Sequence, residues 1–268
     1  MPQYAVLSRA AHAGTRWHRP TSYAFAGSDT LLRLGADEVL TAAAQMPIVF
    51  AEQDGQLTVF VLAGLAPGQS LLVAADGRWL AEYVPAVLRV YPFALAGAPG
   101  DPEPRPLCFD MGSGLVSTDA HAEVLIDSDG APGPLVQRAL SMLQAIDQGQ
   151  AKARELTAAL KAHDVLAPWR LTVDSPTGKR EVDGLWLADP ARIESLPDAA
   201  VLELHRSGAL ALAVAHCVSR GRLNLLAKLA SEQATAGAPP PPLPVTDQGD
   251  LDIEFLSRGG TLSLGGLS

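Results

Sequence analysis

The chain has 268 residues, of which 48% are hydrophobic and only 5% aromatic. This length is sufficient to bury a core in one large domain or two small ones, packed mainly by Ala, Leu and Val. The net charge of −9 argues against nucleic-acid binding, because an acidic surface repels the phosphate backbone. We therefore expect no nucleic-acid partner.

The sequence predicts neither a membrane span nor a targeting segment. No apolar stretch approaches the roughly 20 residues that cross a bilayer, and the N-terminal region lacks an apolar run followed by a small-residue cleavage site. We therefore expect a cytoplasmic protein. The two cysteines, Cys108 and Cys217, lie in apolar surroundings and form no Cys-x-x-Cys pair, so both are expected to be buried, reduced thiols.

The first 126 residues are predicted to contain an early helical segment and then a β-rich block. Apolar residues at helical spacing between Thr30 and Gln45 favour one helix, or two short ones that break at Gly35. From residue 46 onward, short apolar runs alternate with Asp-Gly and Pro-Gly turns, which is typical of a β-meander. The strand candidates are residues 47–50, 57–62, 71–73, 107–109 and 123–126, and a short helical turn is predicted at residues 85–89.

The middle of the chain predicts a long helix over residues 134–163. Pro134 suits the first turn of this helix, and Gly149 allows a bend or a break into two helices. The remainder predicts a small α+β unit. Its expected parts are a hairpin of residues 171–173 and 179–182, helices that begin at Asp189 and Asp198, and a helix over residues 209–231 with an interruption at Arg220-Gly221.

This pattern predicts an α+β fold with a β-rich N-terminal half, a helical middle, a small α+β C-terminal unit and an extended, proline-linked tail. The folded region is expected to cover residues 1–233, with 1–133 and 134–233 as candidate sub-units. Four consecutive prolines favour an extended linker over residues 234–250. Residues 251–268 are expected to be strand-like or disordered, and a strand there would allow homo-oligomers by pairing with another chain.

The chain resembles the bacterial SapC family over residues 5–230. The most specific part is the run Tyr83-Val84-Pro85-Ala86-Val87-Leu88-Arg89-Val90-Tyr91-Pro92-Phe93. Further matching pieces, in chain order, are Leu7-Ser8 with His12, Tyr23-Ala24-Phe25-Ala26, Glu38, Pro47-Ile48-Val49-Phe50, Gly64-Leu65 with Gly68, Gly77-Arg78-Trp79, Leu107-Cys108-Phe109-Asp110, Asp129-Gly130, Leu166-Ala167-Pro168, Gly184-Leu185, and Gly208-Ala209-Leu210 with Ala215-His216.

The resemblance implies a general part in nutrient handling and no defined reaction. The family takes its name from a surface-layer locus, its members look cytoplasmic, and they are often associated with TonB-dependent uptake systems, which implies a part in nutrient handling. Two features depart from the family pattern. Leu125-Ile126 stands where a Leu-Phe pair is common, and the proline-rich tail lies outside the pattern, so no role for the tail follows from the resemblance.

Motifs for catalysis and for cofactors are missing from the sequence. It has no Gly-x-Ser-x-Gly elbow, no phosphate-binding glycine motif and no His-x-His or His-Glu-x-x-His spacing. The cofactor is therefore unknown, and no metal ligands are predicted. A metal-assisted enzyme remains an alternative, because His205 and His216 would approach each other if their helices pack, and His12 would then join them from a distant part of the chain.

The strongest candidate for a binding site is a group of aromatic residues around an arginine. Its predicted members are Trp79, Tyr83, Arg89, Tyr91 and Asp110, with His12, Trp17 and Tyr23 at the rim. An arginine among aromatic rings can stack and still bind a carboxylate through two hydrogen bonds.

Two interpretations of this group compete. In the structural one, Arg89 forms a buried ion pair with Asp110 or Glu82 and the rings pack the core. In the functional one, the group is a pocket for a carboxylated or peptide-like ligand. We therefore expect a ligand- or peptide-binding accessory protein that acts on a small molecule or a peptide, with a metal-assisted enzyme or a surface-layer assembly protein as alternatives.

Overall fold

The computed structural model describes residues 3–97, 105–175 and 178–236. It confirms the α+β fold. The strands are β1 (Tyr4–Val6), β2 (Arg16–Trp17), β3 (Leu31–Arg33), β4 (Ile48–Gln53), β5 (Gln56–Leu62), β6 (Phe93–Leu95), β7 (Leu107–Asp110), β8 (Val116–Ser117), β9 (Glu123–Val124), β10 (Leu166–Ser175) and β11 (Gly178–Ala188). The helices are α1 (Arg9–His12), α2 (Val39–Ala43), α3 (Ala86–Arg89), α4 (Pro134–Ala162), α5 (Pro190–Glu194), α6 (Asp198–Ser207), α7 (Ala209–Ser219) and α8 (Leu223–Ala236).

The largest sheet is antiparallel and has the strand order β10-β11-β4-β5-β3. Its centre is the hairpin β4–β5, in which Val49 lies opposite Phe60. Asp54 and Gly55 connect the two strands, and both have a positive φ, 55° and 73° respectively. Positive φ at both central residues is what a tight two-residue hairpin turn requires, and Asp-Gly is a favoured sequence for it. The turn chemistry therefore fixes the register of the sheet's central pair.

The helices α4 and α7 pack against this sheet and close the larger hydrophobic core. The helix α4 was expected to bend or break at Gly149, but it is continuous from Pro134 to Ala162. Gly149 instead permits a close approach, because a Cβ atom on Gly35 would lie 3.3 Å from the Gly149 Cα. The amide of Ala36 also donates to the Gly149 carbonyl over 2.9 Å. Because Gly149 has no side chain, the segment at Gly35 can pack directly against the backbone of α4.

Two small sheets build a second core beside the N-terminal half of α4. Their strand orders are β1-β7-β6 and β8-β2-β9. Trp17 lies at the centre of this core, with its ring 5.0 Å from Phe93 and 5.9 Å from Phe109, both in edge-to-face geometry. Such aromatic pairs add stabilisation beyond the area they bury. Val136 and Leu143 of α4 complete the cluster.

The C-terminal helices begin where the sequence predicts, but the last one extends to Ala236, beyond the predicted end at residue 231. The Asp189 carboxylate accepts a hydrogen bond from the Ala191 amide over 3.0 Å, and Pro190 occupies the first turn of α5. Gly208 ends α6 with a φ of 89°, a left-handed conformation that glycine adopts readily. A 3₁₀ turn at Arg220–Arg222 separates α7 from α8, which confirms the predicted interruption.

The helix predicted between Thr30 and Gln45 is wrong in its first part. Residues 31–33 form the edge strand β3, in which Leu31 pairs with Leu62 of β5, and only Val39–Ala43 is helical. A short apolar run fits both periods, so pairing with β5 decides the outcome. The predicted strand at residues 71–73 is also absent, because this segment makes single backbone bonds and an isolated bridge from Val73 to Trp79.

The backbone divides into one unit from Met1 to Ser231 and a second from Glu232 to Ser268. The two cores belong to the first unit. Of the second, the structure describes residues 232–236, which continue α8, so the rest of the predicted linker and the predicted tail strand lie outside the described residues. Within the described part, no single helix has the length and hydropathy to cross a membrane. The pair Asp198–Ser207 and Ala209–Gln233 passes that test only jointly, across an 88° bend.

Candidate functional site

A cleft of about 190 Å³ opens between β2, the segment from α3 to β6, and the first turns of α4. We call it the arginine cleft, because three arginines line it: Arg19, Arg89 and Arg138. The rest of its wall is apolar or aromatic and consists of Trp17, Val90, Tyr91, Phe93, Leu135, Ala139 and Met142. The cleft thus combines guanidinium groups with an apolar surface, a combination that suits an anionic ligand with an apolar body.

The long helix places its side of the arginine cleft by simple helical spacing. Leu135, Ala139 and Met142 follow each other at intervals of four and three residues, so they share one face of α4. Arg138 lies on the same face, exposed to solvent, and it has no ion-pair partner among the described residues. An unpaired guanidinium at the edge of an apolar stripe is available to a ligand.

The other two arginines have acidic neighbours but remain accessible. Arg19 donates to Glu123 over 3.0 Å, and its side chain is 63% exposed. The Arg89 side chain is 47% exposed, and its Nη2 lies 3.7 Å from a carboxylate oxygen of Glu38. The Arg19 pair is exposed on both sides, and such ion pairs contribute only on the order of 0–1 kcal/mol. The Arg89 pair joins a half-exposed guanidinium to a buried carboxylate beyond hydrogen-bond distance. Both guanidinium groups therefore keep exposed surface at which a ligand carboxylate can bind.

Trp17, in the same wall, has an unsatisfied hydrogen-bond donor. Its side chain is buried, with the residue 4% exposed, and its indole Nε1 has no hydrogen-bond partner among the described residues. Buried polar groups are normally paired, because an unpaired one loses its hydration without compensation. The unpaired indole nitrogen is enclosed by protein atoms, so Trp17 lines the cleft without presenting this donor at its surface.

Glu38 anchors the segment that carries Arg89. It is only 6% exposed, and its Oε1 accepts from the Tyr83 hydroxyl at 2.6 Å and from the Ala86 amide at 2.7 Å. Its Oε2 accepts from the Gly35 amide at 3.2 Å. Burial raises the pKa of Tyr83, and the hydrogen bond to Glu38 raises it further. Arg89 pairs here with Glu38, and neither Glu82 nor Asp110 is its partner.

The predicted members Tyr23, Trp79 and Tyr83 form an aromatic group that supports the Glu38 anchor. The indole nitrogen of Trp79 donates to the Tyr83 carbonyl over 2.8 Å, and the rings of Tyr23 and Trp79 lie 6.0 Å apart. The amide of Tyr83 donates to the side chain of Gln45 over 2.7 Å. None of these three aromatic residues lines the arginine cleft.

Asp110 and Tyr91 form a second anchor near the N-terminus. Asp110 is 2% exposed; it accepts from the Tyr91 hydroxyl at 2.9 Å, and from the amides of Gln3 at 2.7 Å and Gly112 at 3.0 Å. Tyr91 also stacks on Phe25 with a centroid separation of 3.8 Å. Burial raises the pKa of Tyr91, as does its bond to Asp110. Asp110 thus holds the ring that forms one wall of the arginine cleft.

The histidines considered for a metal site lie in three different environments. His12 is buried at the end of α1, where its Nδ1 accepts from the Ser8 amide over 3.2 Å. His205 lines an apolar surface groove between α2 and α7. His216 is fully buried beside Phe50, and burial lowers its pKa to about 4. No group of three His, Cys, Asp or Glu side chains in the described ranges has a geometry that could hold a metal ion.

The two cysteines are free thiols on separate elements. Cys108 is buried in β7, whereas Cys217 in α7 is only partly buried. Burial raises the pKa of both thiols, which keeps them protonated and weakly nucleophilic at neutral pH. Neither thiol lines the arginine cleft.

Three of the eight predicted site residues therefore line the arginine cleft: Trp17, Arg89 and Tyr91. Sequence reasoning missed Arg19, Arg138 and the anchoring role of Glu38. Arg138 could have been identified from the sequence, because it lies among apolar residues at helical spacing in a helix that the sequence predicts. Glu38 is one of the residues that match the family, but its role could not be predicted, because its partner Tyr83 is 45 residues away in the chain.

Comparison with known proteins identifies the family. The sequence model of the SapC family matches residues 7–226, so the chain belongs to the SapC family. The match includes every residue of the arginine cleft and both anchors except Gln3. Comparison with curated proteins and with solved structures finds no match.

Proposed function

We propose that this SapC-family protein is a ligand-binding accessory protein, and that its arginine cleft binds a small molecule or a peptide end through a carboxylate. The observation that carries this proposal is the convergence of Arg19, Arg89 and Arg138 on an apolar cleft in a chain whose net charge is −9. Three neighbouring guanidinium groups create a local positive site for an anion, although the net charge of the chain is negative.

The chemistry of the wall favours a carboxylate with an apolar body. A guanidinium binds a carboxylate through two parallel hydrogen bonds, and these charge-assisted bonds are stronger than neutral ones. Leu135 and Met142 offer apolar surface beside the guanidinium groups. The cleft of about 190 Å³ is smaller than pockets for drug-sized ligands. It therefore suits a small carboxylic acid or the last residue of a peptide.

Calorimetric titration with matched probes tests this proposal. The small-molecule arm uses 3-phenylpropionate against its uncharged amide, and the peptide arm uses N-acetyl-Ala-Phe as the free acid against its C-terminal amide. We expect binding of the acids and at least about tenfold weaker binding of the amides, because the charge-assisted bonds are lost. Which arm binds more tightly identifies the source of the carboxylate.

Two substitutions connect binding to the cleft. Arg138→Gln removes an exposed guanidinium that has no ion-pair partner in the described residues, so it should weaken acid binding about tenfold without affecting the fold. Arg222→Gln is the matched control, because Arg222 is exposed and lies outside the cleft. Equal binding of acid and amide, or equal loss in both variants, would refute a carboxylate site in this cleft.

A cytoplasmic location and a link to TonB-dependent nutrient uptake are part of the same proposal. Their support is the family resemblance and not the geometry of the cleft. Fractionation of cells that produce the full chain, followed by immunodetection, tests the location. Recovery in the membrane or surface fraction would contradict it.

A further inference from the structure

A second cavity, of about 440 Å³, shares one lining residue, Tyr91, with the arginine cleft. We call it the acidic cavity. Its polar wall includes Tyr4, Asp29, Arg33 and Gln150, and its apolar wall includes Phe60 and Val87. This mixture of polar groups and apolar surface is typical of small-molecule sites, in which a few polar groups fix the orientation of the ligand.

Asp29 provides a carboxylate that has no partner among the described residues. Its carboxylate forms no hydrogen bond and no ion pair within the described residues; its amide alone is bonded, to the Ala26 carbonyl over 3.1 Å. Burial raises the pKa of Asp29, which is the consequence of removing water from a carboxylate that has no partner. A cation bound in the cavity would offset the free-energy cost of desolvating this carboxylate.

Arg33 does not supply that cation, because its guanidinium is already committed. Its Nε donates to the Gln53 side chain over 3.1 Å, and its Nη2 donates to Asp54 over 3.3 Å, at the β4–β5 turn. The Arg33 side chain is 15% exposed, so it is held on the sheet. Arg33 thus forms its ion pair with Asp54 and none with Asp29, although Arg33 and Asp29 both line the cavity.

The pKa of Tyr4 and the hydrogen bond of Tyr91 indicate which charges lie near this cavity. The pKa of Tyr4 is raised first by burial and then by the negative charges of Asp110 and Asp29. Tyr91 donates its hydroxyl hydrogen to Asp110 over 2.9 Å, so its oxygen remains free to accept. Asp29 is thus the acid among the residues that line this cavity, and its charge acts on Tyr4. The arginine cleft, which shares Tyr91, is lined instead by three guanidinium groups.

Gln150 supplies a second polar side chain that is free to bind a ligand. It lies on α4, it is 6% exposed, and its side-chain amide has no hydrogen bond within the part of the chain that the structure describes. Its amide atoms are not among the enclosed polar atoms that lack a partner, so they remain accessible from the cavity. Gln150 and Asp29 are therefore two polar side chains, from different elements, that line one cavity without partners.

We propose that the acidic cavity binds a small primary amine, with its ammonium group beside Asp29 and its apolar body against Phe60 and Val87. An ammonium carries three donors, and the cavity offers three acceptors: the Asp29 carboxylate, the amide oxygen of Gln150 and the hydroxyl oxygen of Tyr4. This site is distinct from the arginine cleft and does not depend on carboxylate binding there.

Titration of the full chain with phenethylamine tests this assignment, with 2-phenylethanol as the uncharged probe of nearly the same shape. We expect the amine to bind and to raise the melting temperature, and the alcohol to bind at least about tenfold more weakly. Asp29→Asn should weaken amine binding by a similar factor. Glu194→Gln, which neutralises an exposed acid on α5, is the control and should leave binding unchanged.

Two further variants keep the test decisive. Gln150→Leu removes an acceptor without breaking any hydrogen bond in the described structure, so it should weaken amine binding severalfold while the protein stays folded. Arg138→Gln should leave amine binding intact even if it abolishes carboxylate binding. Equal binding of amine and alcohol, or unchanged amine binding in both Asp29→Asn and Gln150→Leu, would overturn the proposal.

Discussion

The hydroxyl of Tyr83 donates to the carboxylate of Glu38 over 2.6 Å, although 45 residues separate them in the chain. The same oxygen of Glu38 accepts from the Ala86 amide over 2.7 Å. This buried acid therefore fixes the start of α3, three residues before Arg89. The arginine reaches the cleft from a segment whose position is set by an anchor that sequence spacing alone does not reveal.

Loss of the Glu38 charge should destabilise the protein. Glu38→Gln keeps the shape of the side chain but weakens the bonds from Tyr83, Ala86 and Gly35, and it introduces amide hydrogens that meet no acceptor. We expect the free energy of unfolding to fall by about 2 kcal/mol, measured by urea denaturation. Glu52→Gln, at an exposed position of β4, should change it by less than about 0.5 kcal/mol. Equal stability of the two variants would contradict the anchoring role.

Arg89 should contribute little to stability. Its side chain is 47% exposed, and its nitrogen lies 3.7 Å from Glu38, beyond hydrogen-bond distance. Without Arg89 the Glu38 carboxylate still accepts its hydrogen bonds from Tyr83, Ala86 and Gly35. We expect Arg89→Gln to lower the free energy of unfolding by less than about 1 kcal/mol, while calorimetry shows weaker binding of 3-phenylpropionate. A large loss of stability without an effect on binding would support the structural interpretation of this arginine.

Acid should destabilise the fold through His216. Its ring Nδ1 donates to the Ile48 carbonyl over 2.9 Å, and its Nε2 is buried without a partner. Burial lowers the pKa of His216 from 6.5 to about 4. Between these pH values the imidazole is therefore mostly protonated in the unfolded chain and mostly neutral in the folded chain. Stability is therefore lost as the pH falls from 6.5 towards 4, by about 3 kcal/mol in total.

Urea unfolding at pH 7.5 and pH 4.5 measures this effect. The loss of stability between the two pH values should be about 2–3 kcal/mol smaller in His216→Leu than in the natural chain, because the proton-binding site is removed from the unfolded state. His121→Gln is the control, since the side chain of His121 is 95% exposed. An unchanged pH dependence in His216→Leu would show that this imidazole is not responsible.

A Cβ atom at position 64 should be poorly tolerated. In Gly64→Ala the new atom would overlap the backbone carbonyl oxygen of Gln69, which cannot rotate away as a side chain would. We expect a loss of about 2–3 kcal/mol in the free energy of unfolding. Gly221→Ala is the matched control, because its Cβ would meet no atom within 4 Å. Thermal melts of both variants measure the difference. Similar melting temperatures would contradict the predicted overlap at position 64.

Local signals in the sequence determined most of the elements. Asp189 and Pro190 mark the start of α5, Gly208 marks the end of α6, and Asp54-Gly55 marks the β4–β5 turn. Each of these signals depends on the conformational preference of one or two residues, so it can be read without knowledge of the rest of the chain. The aromatic content around Arg89 likewise indicated which segment to examine.

The tertiary structure alone decided the partners. The segment at Leu31 became a strand because β5 pairs with it, and Gly149 became a contact point because Gly35 approaches it. The Arg89 partner is Glu38, and the arginine cleft needs Arg138 from a helix that begins 45 residues after α3 ends. Contacts between distant segments depend on how complete elements pack, and periodicity within one segment carries no information about that.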